Sequence, residues 1–260
     1  MAVVFGGVGV ALVTLFGPDG EVDPAATGKH AADLASRGVT GVLVCGTTAE
    51  AATLTEAERV MLIEGVRAAL PDSVPVIAGT GAPSARQAVT LTKMAVAAGA
   101  DAVLTWCPAG SAGPPSPAAL AGFYAGIADA AEDRPVLAYH NPFITCADIP
   151  VVDLGALPVA GVKDSSARPD RLLDELTSYA GDTYVGSAGF LALAGPLGAA
   201  GGLLALANLA PEACLAAFGG DSTAQRDLAG QHLAVARGGI PQLKRMLAET
   251  AGLSPVCRIW

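Results

Sequence analysis

The sequence predicts an α/β protein folded as a (β/α)8 barrel with a C-terminal helical extension. Three observations predict it. Eight short apolar runs alternate with helical segments along the 260 residues, and eight strands close a barrel of this kind. Most of these runs are apolar throughout, with no in-and-out alternation, as strands buried on both faces are. The length suits one large domain, and a hydrophobic content of 52% can fill its core.

The strands are expected near residues 8–15, 41–44, 74–78, 102–105, 135–139, 159–162, 183–185 and 202–206. Asp23-Pro24 supplies an N-cap and a first-turn proline for the first helix, and Gly38 ends it. Thr55 and Glu58 form a capping box. Val60, Ile63, Val66 and Leu70 follow on one stripe, and Ala88, Leu91, Ala95 and Ala98 repeat the pattern before Gly99. Ser116-Pro117 opens another helix and Pro169 a further one. Helical stretches near 212–218, 222–236 and 240–250 exceed what a barrel needs. The barrel is therefore expected over residues 1–210, with C-terminal helices over 211–260 packed on it.

Composition excludes several function classes. Lys plus Arg is 15 against Asp plus Glu 24, a net charge of −9, whereas a phosphate-backbone partner wants a basic face. No nucleic-acid partner is expected. No uninterrupted apolar run reaches the ~18 residues of a membrane span, and the start lacks the basic region of a signal peptide. A cytoplasmic protein with no membrane partner is expected. Five scattered cysteines argue against a disulfide framework. His30, His140, His232 and the cysteines show no metal-ligand spacing, so no metal is expected; Gly79-Thr80-Gly81 lacks the third glycine of a dinucleotide fingerprint and no Walker loop is present, so no other cofactor is expected either.

In such barrels the chemistry sits at the C-terminal ends of the strands, so reactive side chains should stand at the ends of apolar runs. Of the four lysines, Lys29, Lys93 and Lys244 fall inside helical segments, where a solvated face accounts for them. Lys163 instead follows Val159-Ala160-Gly161-Val162. Desolvation there should lower its pKa, leaving an amine able to attack a ketone; the other reading is a buried lysine paired with a carboxylate. Tyr139 ends the fifth run, one strand from Lys163. Its phenol could carry protons, or it could merely cap the barrel mouth. The second run leads into Gly46-Thr47-Thr48-Ala49-Glu50, whose hydroxyls and backbone N–H groups could form an anion-binding nest for a carboxylate, although Gly-Thr-Thr also makes ordinary turns. Gly186-Ser187-Ala188-Gly189 is not a nucleophile elbow, since Val185 stands where the leading glycine should be. Its small residues leave room for a ligand or let a helix pack closely.

These motifs, in order, resemble the dihydrodipicolinate synthase / N-acetylneuraminate lyase superfamily. Gly46-Thr47-Thr48-Ala49-Glu50, Tyr139-x-x-Pro142 and Gly161-Val162-Lys163-Asp164-Ser165-Ser166 carry the resemblance. Ala78-Gly79-Thr80-Gly81 and the 198–202 segment with Ala207-Asn208 extend it over nearly the whole chain. Within the superfamily, residues 185–191, 201–208 and 239–244 look most like 4-hydroxy-2-oxoglutarate aldolases. The resemblance implies a TIM barrel and class I aldolase chemistry: a Schiff base with pyruvate or a similar 2-oxo acid, and reversible cleavage to pyruvate plus an aldehyde. Lys163 would form the imine, Tyr139 would transfer protons and Thr47 would relay them. Thr48, Gly46, Gly186, Leu203 and His140 would bind substrate. A homodimer or homotetramer is implied.

The sequence also departs from the family pattern. Ala49 replaces the usual glycine of the second-strand motif, and His140 replaces the usual Asn or Ser after the tyrosine. Ile144 stands where dihydrodipicolinate synthases carry a substrate-binding arginine, which argues against that activity. Trp106-Cys107-Pro108-Ala109-Gly110 lacks the relay tyrosine that crosses a dimer interface in the family. Thr47 would then be the only protein link from Tyr139 toward water. The alternatives are a catalytically silent 2-oxo-acid-binding relative, a dihydrodipicolinate synthase, or a different, phosphate-binding barrel.

Overall fold

The computed structural model describes residues 3–108, 115–145 and 148–259. Eight parallel strands close into a barrel in sequence order. They are β1 (Gly7–Ala11), β2 (Gly41–Val44), β3 (Val76–Gly79), β4 (Ala102–Thr105), β5 (Val136–His140), β6 (Gly161–Asp164), β7 (Asp182–Val185) and β8 (Gly201–Leu204). Closure pairs Gly7 with Gly201 and Val10 with Leu204. The first strand ends four residues earlier than expected, at Ala11, while β5 and β6 run on to His140 and Asp164. Lys163 is therefore inside a strand rather than just beyond one.

The helices follow their sequence signals. They are α1 (Pro24–Ser36), α2 (Glu56–Ala69), α3 (Ala85–Ala97), α4 (Pro117–Ala131), α5 (Pro142–Thr145), α6 (Val151–Leu154), α7 (Pro169–Ser178), α8 (Leu191–Ala194), α9 (Pro211–Phe218) and α10 (Ser222–Ala251). Asp23 caps α1 through Ala26 N–H, and the Thr55–Glu58 capping box opens α2 with both of its bonds made. The two last stretches expected from sequence are the arms of α10, which bends at Gly239 (φ 62°, ψ −155°). That backbone is open to glycine, and Pro241 donates no N–H to the helix ladder. Among the described residues, no helix is long and apolar enough to cross a membrane.

Two cores hold the barrel. The outer one lies between strands and helices and includes Val42, Val44, Val66, Leu120 and Ile127. The inner one fills the barrel with Phe5, Leu43, Ile77, Leu137, Tyr184 and Leu203. Phe5 plugs the lower end, where Gly9 and Gly41 leave room for its ring, and Tyr184 donates to its carbonyl at 3.0 Å. Leu243 and Leu247 of α10 pack with Val13 and Leu15 just past β1. The barrel is therefore filled from below, and among the described residues room for a ligand opens at the strands' C-terminal ends.

Candidate active site

Tyr139 and Lys163 are Cα partners across β5 and β6. Both side chains point into the barrel mouth, and Lys163 Nζ stands 4.9 Å from the centroid of the Tyr139 ring. Strand alternation accounts for this, since directly paired residues of neighbouring strands share a face. Lys163 is 6% exposed and Tyr139 8%. Burial holds the Lys163 amine below its ordinary pKa, opposed by Tyr139. Burial raises the phenol of Tyr139, but the charge of Lys163 and three hydrogen bonds outweigh it, and its pKa falls.

Those three bonds come from different elements. Asn141 Nδ2, just past β5, donates to Tyr139 Oη at 2.9 Å. Ser165, just past β6, and Thr47, after β2, also hydrogen-bond the phenol. Thr47 is therefore not the only protein hydroxyl on Tyr139, contrary to expectation, because Ser165 reaches it from the neighbouring strand. Asn141 was not singled out from sequence. A polar residue directly after an apolar run was its signal, the same one that marked Lys163.

The cavity has a volume of about 430 Å³ and is lined by Gly46, Thr47, Thr48, Tyr139, Lys163 and Trp106, among others. Thr47–Ala49 form a single 3-10 turn closed by Glu50 in the left-handed region (φ 58°). Trp106 reaches the wall because Gly81 has no side chain, and a Cβ there would overlap the indole. Arg59 of α2 also lines the cavity, donating to Gly79 and Ala51 carbonyls. Cys107 is buried, and its thiol is pushed up to about 11 by desolvation, so it makes a poor proton relay. Ala109 and Gly110 lie outside the described residues, as does the side chain of Ile144.

Three residues expected to bind substrate stand elsewhere. His140 follows Tyr139 on the same strand, so alternation turns it to the outer face. Its Nδ1 is 2.6 Å from Asp164 Oδ1 and its Nε2 2.7 Å from Asp148 Oδ1. Asp164 also accepts from Ser166 N–H and Oγ, and Arg171 approaches it from α7 at 3.6 Å. Leu203 is fully buried in the inner core and is not part of the cavity wall. Gly186 lies against Ser165, and a Cβ on it would overlap the Ser165 hydroxyl; its role is to leave space for the group that contacts Tyr139.

Lys244 also departs from expectation. It is fully buried and ion-paired with Glu50, not on a solvated face. Among the described residues, no three His, Cys, Asp or Glu side chains group as a metal site would require.

The fold and these motifs have known counterparts. The model of the dihydrodipicolinate synthetase family matches residues 4–230. The chain is 36% identical over 221 residues to a probable mitochondrial 4-hydroxy-2-oxoglutarate aldolase of Emericella nidulans, covering 80% of this chain and 71% of the relative. It is 33% identical over 258 residues to a 4-hydroxy-tetrahydrodipicolinate synthase of Methanosarcina mazei, covering 95% and 84%. Among solved structures, the chloride-inhibited dihydrodipicolinate synthase of Acinetobacter baumannii, complexed with pyruvate, superposes with a TM-score of 0.85 at 28% identity, covering 99% of this chain and 92% of that one. With its eight-stranded barrel, its paired Tyr139 and Lys163 and a match over most of its length, the chain belongs to the dihydrodipicolinate synthetase family.

Proposed function

We propose that the protein is a Schiff-base-forming class I aldolase that reversibly cleaves a 4-hydroxy-2-oxo acid to pyruvate and an aldehyde. The observation that carries this reading is a buried lysine, its pKa lowered, beside a tyrosine held by three hydrogen bonds in one cavity. An amine whose pKa is lowered is more readily neutral and nucleophilic, and a phenol whose pKa is lowered gives up its proton more readily than an ordinary tyrosine.

The residues would act as follows. Lys163 Nζ adds to C2 of the 2-oxo acid, and Tyr139 protonates the carbinolamine hydroxyl, which leaves as water. The protonated imine is an electron sink. Tyr139 takes the proton of the C4 hydroxyl, the C3–C4 bond breaks, and its electrons form the enamine as the aldehyde departs. Protonation at C3 and hydrolysis return pyruvate and the free amine. Thr48 and Gly46 hold the substrate carboxylate in the 3-10 turn, and Thr47 carries protons to and from Tyr139.

The aldolase name borne by the Emericella relative supports cleavage. The synthase of Methanosarcina mazei, alike over 95% of this chain, favours a second reading, condensation of pyruvate with an aldehyde through the same imine. Borohydride reduction in the presence of pyruvate, followed by mass mapping, should place one adduct on Lys163. Pyruvate release from a panel of 4-hydroxy-2-oxo acids, set against pyruvate consumption with a panel of aldehydes, then separates the two directions. A chain that traps no pyruvate overturns both readings.

A further inference from the structure

Beyond the turn that follows β2, the cavity wall is completed by residues from the far end of the sequence. Glu50 closes the Thr47–Ala49 turn, is 1% exposed, and has both carboxylate oxygens engaged. Oε1 pairs with Lys244 Nζ. Oε2 accepts the backbone N–H groups of Arg258 at 2.7 Å and Ile259 at 3.1 Å. Lys244 Nζ also donates to the Val256 carbonyl at 2.7 Å. The Arg258 guanidinium reaches Gly20 O and Glu58 Oε1, each at 2.6 Å. The Phe16 ring takes Lys244 Nζ at 4.3 Å and the Arg258 guanidinium at 4.6 Å from its centroid. Residues 254–259 are thus held at the barrel mouth by partly buried, charge-assisted bonds. Ile259 ends up on the wall of the cavity that Thr47 and Thr48 line.

We propose that Glu50 is a positioning residue that ties the Thr47–Ala49 turn to residues 254–259, and that Ile259 is the wall residue that sets affinity for the carboxylate of the 2-oxo acid. This rests on the reading above that the turn receives that carboxylate. An apolar side chain on this wall lowers the local dielectric around an anion bound in the cavity and offers it no competing acceptor. It also places no charge of its own there. Glu50, although acidic and adjacent, is neutralised by Lys244 and two N–H groups, so it does not repel the anion.

Charge substitution at 259 tests this, because Ile259 is 41% exposed and its replacement leaves the core intact. The readout is the pyruvate concentration that half-saturates borohydride trapping on Lys163. Ile259→Asp should raise it about tenfold, as expected of a like charge near the carboxylate. Ile259→Lys should leave it unchanged or lower it, with the same saturating yield in both. Equal shifts in the two variants, or no shift in either, would overturn the proposal, since a purely structural role is blind to the sign of the charge. Failure of the unmodified chain to trap pyruvate would instead sink the aldolase reading, and this inference with it.

Discussion

Gly186 and Ser165 share one space: a Cβ on Gly186 would overlap the Ser165 hydroxyl, and that hydroxyl bonds the Tyr139 phenol. Gly186, just past β7, therefore bears on Tyr139 through Ser165 without lining the cavity. Gly186→Ala should push Ser165 off Tyr139 and raise the phenol's pKa. The acidic limb of the kcat profile should then move to higher pH while pyruvate trapping persists. An unchanged profile would show that Ser165 is not held by this contact.

Lys163→Arg should keep the fold and abolish trapping, because a guanidinium stays protonated and cannot add to a ketone. Mass analysis after borohydride reduction reads this directly. Chelators should leave turnover unchanged, since the imine takes up the electrons of the breaking bond.

Tyr139→Phe should slow cleavage by about 10²–10⁴-fold, the usual worth of a positioned acid–base group. It should also cost about 1–3 kcal/mol, because Asn141 Nδ2 and the neighbouring hydroxyls lose their acceptor. Steady-state kinetics and urea melts measure the two effects separately. A variant with ordinary turnover would assign the proton transfers to another group.

Thr47→Val should be damaging, but less so than if Thr47 alone bonded Tyr139, because Ser165 remains. Thr47→Val with Ser165→Ala should lose more than the sum of the two single changes. Strict additivity of log kcat in that double-mutant cycle would rule out a shared role.

Glu175 is fully buried on α7 beside Arg171. Burial, with the negative charge of Asp164, outweighs Arg171 and pushes its carboxyl up to about 8. A folded pKa above the unfolded one means the folded state binds the extra proton. The stabilisation from this group is full below about 4.5 and is lost as pH rises through about 8. Glu175→Gln should therefore raise the melting temperature relative to the unmodified chain more at pH 8 than at pH 5. The opposite ordering would mean that the Arg171 pair dominates.

The barrel was legible because parallel strands under helices are apolar on both faces, as Val42, Leu43 and Val44 are. Lys163 and Tyr139 were legible because each is a polar group at the end of such a run. His140 was misplaced because β5 runs one residue further than its apolar stretch, and one step along a strand reverses the face. Lys244 was misread because its partner, Glu50, lies 194 positions away. Its place between Leu243 and Leu247, both fully buried, was the local hint. Gly186 was noticed, but what fills the space beside it belongs to another strand and leaves no trace in its own segment.

The bond between Glu50 and the 254–259 segment has a consequence for the order in which the molecule is made. Synthesis proceeds from the N-terminus, at about 5–20 residues per second. The turn after β2 leaves the ribosome early, yet Glu50 can meet Lys244 and the N–H groups of Arg258 and Ile259 only once residues 244–259 have followed. Until then a carboxylate destined for the interior stays hydrated, and the turn it closes lacks its backing. A nascent chain can thus begin to assemble strands long before it can own a finished cavity. The cavity that holds Lys163 gains its Ile259 wall only after those distant bonds form.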